Sequence, residues 1–369
     1  MKIPLIKPFM NDSIKQRVLD VLDSGMYTEG TVTKAFEDKI KEITGCNYAL
    51  AVTSCTTGLE LALRCLNIGP GDEVIIPDYT YPATADVVAI VGAKAVIIDV
   101  NPDNMLIDYY ELKKAINHKT KAVIPVSIFG NPLDYNVLNE LKKEFGFFII
   151  EDAACSLGSS FNGTMTGNLA DISVFSHHPR KFITTGEGGT VTTNNKTWYE
   201  WMYAYKHFGI TQSEDRKSTA FTMIGTNYKL SNILAAVGLG QLDYYHELLA
   251  KRQELAQNYI KIIKETSGKI VLPIITEKGI HSFQSFCIFV EHRDEMIKKM
   301  RDHDIETQIG TYALSLQPAF INNSSYHLSV CPNSQMLFNK TLTLPLYNDL
   351  DFETQEYIIQ NLEGFLKCI

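Results

Sequence analysis

Two residues 29 positions apart carry the most suggestive chemistry in this chain. Asp152 closes an apolar run, Phe147-Phe148-Ile149-Ile150, that breaks into Glu151-Asp152-Ala153-Ala154. Lys181 ends the stretch Asp171-Ile172-Ser173-Val174-Phe175-Ser176-His177-His178-Pro179-Arg180-Lys181, and the turn Thr184-Thr185-Gly186-Glu187-Gly188-Gly189 follows it. A lysine amine can hold an aldehyde as a Schiff base. A carboxylate can keep a pyridine nitrogen protonated and electron-withdrawing. Those are the two protein groups that pyridoxal phosphate (PLP) chemistry requires. Each residue alone has a plain explanation: Asp152 as an acid capping the turn after a strand, Lys181 as one solvated charge among 34 basic residues. Together, at this spacing and beside a Gly-rich turn, they point to a cofactor site.

Positioning such a pair needs strands that end in one place. Tyr48-Ala49-Leu50-Ala51-Val52 reads as a buried strand breaking into Thr53-Ser54-Cys55-Thr56-Thr57-Gly58, with a helix expected over 59–66. Strand, hydroxyl-rich turn and helix together make a candidate phosphate cradle, because free amides and the positive end of the helix dipole converge there. Taken alone, the same Ser/Thr cluster is equally an ordinary helix cap. Further strands are expected at 73–76, 95–100, 122–126 and 147–151, with helices over 82–91, 108–116 and 134–145 between them. Short β-branched runs alternating with helices imply an α/β fold with a mostly parallel sheet covered on both faces. Ligands of such sheets sit at the carboxyl ends of the strands. Ser54, Tyr79-Thr80-Tyr81, Ser127 and Asp152 all follow strand ends, so they are expected to face one site.

Upstream, 12–24 reads as an amphipathic helix with Ile14, Val18, Leu19 and Leu22 on its buried stripe and Asn11-Asp12-Ser13 as caps. A second helix is expected over 33–43. Past Gly189 come a strand at 190–193, a helix carrying Trp198, Trp201 and Met202, and a polar segment, Gly209–Arg216, that reads as a surface loop, lid or interface. A long helix over 243–265 begins a smaller C-terminal unit with strands at 283–290 and 305–309 and helices at 293–303 and 351–366. The expected division is a large domain, 1–245, and a small α/β domain, 246–369.

With 369 residues, 45% hydrophobic and 21% charged, the chain is an ordinary globular protein too long for one small core. Its net charge of −8 offers no electrostatic support for nucleic-acid or membrane partners. Seven scattered cysteines with no C-x-x-C pair point to reduced thiols, with neither a disulfide frame nor a metal site. No run approaches a membrane span, and the Pro-broken N-terminus does not read as a signal peptide, so a cytoplasmic protein is expected.

Four segments together resemble the PLP-dependent sugar aminotransferases of the DegT/StrS family, which have the fold-type I architecture. They are Ile149–Ala154; Phe175–Lys181 with Thr184–Gly189; Gly225-Thr226-Asn227-Tyr228-Lys229-Leu230-Ser231; and, more loosely, Asp304–Gln308. Weaker matches, Gly69–Ile75 and Leu344–Tyr347, extend the resemblance over nearly the whole chain. It implies that Lys181 is the Schiff-base lysine and Asp152 the partner of the ring nitrogen, with PLP cycling through pyridoxamine 5'-phosphate. Tyr81 would stack on the ring. Ser54, Ser176, Thr56 and the amides of Cys55 and Thr56 would bind the phosphate, with Cys155 and His178 beside the cofactor. Asn227 would reach the phosphate of a neighbouring subunit, which implies a homodimer with shared sites. Tyr27, Arg180, Lys229 and Tyr312 are the expected substrate contacts. Three positions depart from the family: His177 where an aromatic is frequent, Cys155 where His or Gln is, and Ser127 where a histidine is common.

The expected activity is amino transfer from an amino acid, L-glutamate, to a nucleotide-linked 4-keto-6-deoxy sugar for polysaccharide or glycan precursors. A smaller keto phosphate or a keto-inositol is the alternative substrate. A PLP-dependent sugar dehydratase would carry histidine in place of Lys181, and a non-catalytic sensor would leave the Lys181/Asp152 pair unexplained.

Overall fold

Strand residues of this chain alternate between two apolar layers, and that alternation builds the molecule. In the computed structural model, which describes residues 2–211, 219–266 and 268–368, eight strands form the main sheet. They are β1 (Tyr48–Val52), β2 (Glu73–Pro77), β3 (Lys94–Ile98), β4 (Thr120–Val123), β5 (Phe148–Asp152), β6 (Ile172–Ser176), β7 (Gly189–Thr193) and β8 (Tyr326–Leu328). Their order is β1-β7-β6-β5-β4-β2-β3-β8. From β6 to β8 every pairing is parallel, while β7 runs antiparallel to both β6 and β1. Leu50, Val52, Val74, Ile76, Ala95 and Ile97 face one core cluster. Ile75, Val96 and Ile98 face a second, and Ala49 and Ala51 a third. Both faces are therefore dry, as a parallel sheet demands.

Twelve helices are formed by the described residues, and those needed below are α1 (Asp12–Ser24), α2 (Thr31–Thr44), α3 (Cys55–Cys65), α4 (Ala83–Ile90), α5 (Tyr109–Ala115), α6 (Tyr135–Phe145), α7 (Lys196–Lys206), α8 (Asn232–Leu242) and α9 (Tyr245–Lys264). Side-chain caps set many of their starts: Asn11, Asp108, Asp134, Asn195 and Ser231 each accept a first-turn amide. None of the helices formed by the described residues is long and apolar enough to cross a membrane.

Several expectations shift. Helix α1 keeps its bounds, but Ile14 and Val21 are its buried residues, because it rests on α8 along that line; Leu19 and Leu22 are 49% and 42% exposed. Helix α3 starts four residues before the expected 59, since Ser54 caps it. The expected strand 283–290 contracts to Phe286–Phe289, preceded by Phe283 in the left-handed region at φ 52°. Of 305–309 only Gln308–Ile309 is strand, while Ile305 makes a single bridge to Ile3. Of the polar segment Gly209–Arg216, residues 212–216 lie outside the described residues.

For the proposed 246–369 unit, a separate core cluster gathers residues from Leu255 to Leu366, joined by Ile3. Residues 312–328 leave that unit and return to the large sheet. Tyr312–Ala313 pairs with Tyr79–Thr80, and β8 adds to the edge of β3. Buried Asp78 anchors the return, accepting from the Ser315 amide at 2.7 Å and its hydroxyl at 2.8 Å.

Candidate active site

Lysine 181 rides on the loop from β6 back to β7, and its own backbone shapes that loop. The Lys181 amide donates to His178 O at 2.8 Å. His177 O accepts from the Thr185 amide at 3.0 Å and the Thr184 hydroxyl at 2.8 Å. Gly186 then turns the chain at φ 88°, where a side chain would be strained. The Thr-Thr-Gly-Glu-Gly-Gly run is thus the mould for the lysine turn.

Asp152 ends β5, the parallel neighbour of β6, and is 5% exposed. Its Oδ2 accepts from Thr84 Oγ1 of α4 at 2.7 Å, and its Oδ1 from the Ala154 amide at 3.2 Å. Thr80 and Thr84 hydroxyls meet at 3.0 Å behind it. Burial pushes the Asp152 carboxyl above the usual range, although Thr84, the Ala154 amide and Lys181 pull it back.

Two thiols bracket the pair. Lys181 Nζ donates to Cys155 Sγ at 3.0 Å, and Cys55 Sγ lies 4.0 Å from Asp152 Oδ1. Burial draws the Lys181 ammonium down, but Cys155, Cys55 and Asp152 outweigh it, so its net direction is upward.

At the start of α3 the Ser54 hydroxyl accepts from the Thr57 amide and the Thr57 hydroxyl from the Ser54 amide, each at 3.1 Å. Ser54 is therefore committed to a capping box. Gly58 N bonds Ser54 O at 3.1 Å, which leaves the first two amides, of Cys55 and Thr56, as the open donors of the helix. Strand β7 closes on this turn because position 189 is glycine: a Cβ there would lie 2.6 Å from the Ser54 carbonyl carbon and 2.7 Å from Cys55 N. The Ser176 hydroxyl, at the end of β6, accepts from the His178 amide at 3.4 Å.

The remaining expected residues fall into local groups. Tyr81 is 64% exposed, its ring 6.3 Å from that of Tyr312, which the returning C-terminal segment brings alongside. Asn227 is exposed and accepts from Lys229 Nζ at 2.5 Å. Tyr27 turns its hydroxyl back onto Leu22 O at 3.2 Å. Arg180 is exposed, with Nη1 3.3 Å from Gln308 Oε1. His178 is exposed, accepts from the Arg180 amide at 3.2 Å and faces Glu187 at 4.0 Å. Ser127 meets Asp152 through the backbone, its amide donating to Asp152 O at 3.1 Å, while its hydroxyl turns to buried Glu151 at 2.5 Å. His177 is buried edge-on to Phe36, with Nε2 2.7 Å from Thr190 Oγ1. Burial lowers its pKa to about 4, so it packs as a neutral ring where an aromatic would stand.

Sequence reasoning missed Thr84, whose one signal is a hydroxyl in a helix, Ala83–Ile90, that is apolar apart from it and Asp86. It also missed Lys206, fully buried at the end of α7, which bonds Glu29 at 2.9 Å and Ala51 O at 2.8 Å. No local signal distinguishes that lysine.

This donor set fits PLP. Open α3 amides with the Ser176 and Thr56 hydroxyls suit a phosphate, the buried carboxylate suits a pyridinium, the half-buried amine suits an aldehyde, and exposed Tyr81 offers a ring face.

A model of the DegT/DnrJ/EryC1/StrS aminotransferase family matches residues 8–363. The chain is 31% identical to the GDP-perosamine synthase of Escherichia coli O157:H7, covering 98% of each. It is 30% identical to the UDP-4-amino-4-deoxy-L-arabinose–oxoglutarate aminotransferase of Shewanella sediminis, over 97% of this chain and 96% of that one. Its fold superposes with a TM-score of 0.92 on the candidate sugar aminotransferase Spr1654 from Streptococcus pneumoniae in its PMP form, at 30% identity over 100% of this chain and 98% of that one.

Proposed function

The chain belongs to the DegT/DnrJ/EryC1/StrS aminotransferase family, and on that premise we propose that its keto substrate is a nucleotide-linked 4-keto-6-deoxy sugar and its amino donor L-glutamate. The protein is a PLP-dependent nucleotide-sugar aminotransferase of fold-type I, serving polysaccharide biosynthesis. The observation that supports the residue assignment is the cluster in which half-buried Lys181, Cys55 and Cys155 and buried Asp152 meet beside the open N-terminus of α3. The substrate assignment is supported by relatives whose names carry a GDP-sugar and a 4-amino UDP-sugar. The oxoglutarate in the second name is the keto acid that glutamate leaves behind.

Bound PLP supplies the electron sink and the carbonyl through which an amino group is passed on. Lys181 Nζ would hold the cofactor and would serve as the base that takes the proton from the donor α-carbon and delivers it to the cofactor side, the reverse transfer serving the keto sugar. Asp152, ionised by Thr84, the Ala154 amide and the nearby ammonium, keeps the ring nitrogen protonated. The Cys55 and Thr56 amides and the Ser176 and Thr56 hydroxyls orient the phosphate. Tyr81 covers one ring face. Arg180 and Lys229 are the cations offered to the sugar diphosphate. Cys155, in hydrogen-bond contact with Lys181, sets what the substrate meets beside the ring.

The working form in this reading is a cytoplasmic homodimer in which Asn227 completes the partner's phosphate site. Its support is local: Asn227 is exposed on the same segment as Phe221 and Ile224, which are 70% and 96% exposed, and bare apolar side chains of that size mark covered surfaces. A glutamate-driven panel of nucleotide keto sugars, small keto phosphates and keto-inositols tests the substrate. A kcat/KM for a nucleotide 4-keto-6-deoxy sugar about 100-fold or more above the others is expected. Preference for a small keto phosphate or an inositol would overturn it.

A further inference from the structure

The turn that carries Lys181 is held from outside by two buried glutamines. Gln284 Oε1 accepts from the Phe182 amide at 3.1 Å, and its Nε2 donates to Arg180 O at 2.8 Å. One side-chain amide thus grips the backbone immediately before and immediately after the lysine. Three residues on, the Thr184 amide donates to Gln241 Oε1 at 2.7 Å, while Gln241 Nε2 donates to Phe9 O at 2.7 Å. Gln284 is 6% exposed and Gln241 fully buried. The first clamp is itself braced: Arg252 of α9 bonds Phe283 O at 3.1 Å and Gln284 O at 3.2 Å, and its guanidinium lies 5.5 Å from the Phe182 ring centroid.

We propose that Gln284 and Gln241 are positioning residues for Lys181, fixing the backbone from which its amine is presented and tying that position to the C-terminal half of the chain. The proposal rests on the reading of Lys181 as the cofactor-holding lysine. Its physical basis is the chemistry of the amide. Backbone C=O at 180 needs a donor and N–H at 182 an acceptor from one side chain, which Gln supplies and an ionised Glu, with acceptors only, does not. The turn makes few bonds of its own at the lysine, the amide at 181 bonding His178 O. An unbraced lysine would sample several Cα positions, and a displacement of about 1 Å can cost a reacting group on the order of 100-fold. Gln284 lies two residues before the strand Phe286–Phe289, which ties the lysine turn to that strand.

The test uses the full chain, with Gln284→Glu as the shape-preserving variant and Gln284→Ala beside it. PLP is added to cofactor-free protein, and the appearance of lysine-bound visible absorbance is timed across pH, with inorganic phosphate as competitor. Attachment slowed roughly 10- to 100-fold and a shifted pH midpoint are expected, with competition by inorganic phosphate unchanged because α3 is untouched. Parent-like rate and midpoint, or a lowered melting temperature alone, would overturn the positioning role. If neither Gln284 variant folds, Gln241→Glu decides by the same readouts. A parent chain that gives no visible absorbance would sink the reading of Lys181 itself. A normal parent beside an unaffected variant would sink only the clamp.

Discussion

In the proposed mechanism Asp152 must ionise against its surroundings. Burial favours the neutral acid, and a neutral acid cannot hold a pyridinium, so the bonds that favour the anion decide whether the site functions. Thr84 makes the shortest of them. Replacing it by valine keeps the shape and removes the donor. The Asp152 pKa then rises, the ionised fraction at a given pH falls, and the low-pH limb of the kcat/KM profile moves to higher pH. Rescue by Thr84→Ser, and a stability loss of about 1–3 kcal/mol in Thr84→Val, are expected. A Thr84→Val profile superimposable on the parent's would remove Thr84 from the mechanism. That Asp152 and Lys181 lie at neighbouring strand ends was legible in the sequence from residue type and spacing. Thr84 was not, since it meets Asp152 by a contact across 68 positions, whereas the helix cap that Ser54 makes was one of the two readings its Ser/Thr cluster offered.

Elements, more than single residues, bring phosphate donors and lysine together. The antiparallel β7 lies between β6 and β1 and touches the first turn of α3 through Gly189. A methyl group there meets backbone at 2.6–2.7 Å, with no flexible side chain to yield. Gly189→Ala is expected to displace the cradle, cost about 1–3 kcal/mol and weaken inorganic phosphate competition, read by thermal melting and by titration. Unchanged phosphate competition would show that α3 does not hold the anion. Strand positions were read within a few residues because their alternation reports burial. The direction of β7 was hidden, since an antiparallel strand buried on both sides carries the same pattern as a parallel one. So was the line along which α1 meets α8. At the open edge of β1, Glu37 accepts from the Ala51 amide at 2.8 Å and Lys206 donates to Ala51 O. This buried ion pair covers an edge that would otherwise invite pairing.

At the scale of the whole molecule, chain order and spatial order part company. Residues 312–328 cross from the C-terminal unit to the large sheet and put Tyr312 beside Tyr81, a juxtaposition of positions 231 apart that no local pattern announces. The Gln284 bonds join the same two halves at the lysine turn. In the proposed reading this architecture serves one covalent attachment, at Lys181, and one measurement addresses it: visible absorbance of the purified chain with added PLP, then with L-glutamate, for the parent and for Lys181→Ala. The parent is expected to turn yellow and to bleach with glutamate, while Lys181→Ala does neither and loses turnover by roughly 1000-fold or more. A Lys181→Ala protein that colours, bleaches and turns over like the parent would contradict the assignment of this lysine and the site built around it.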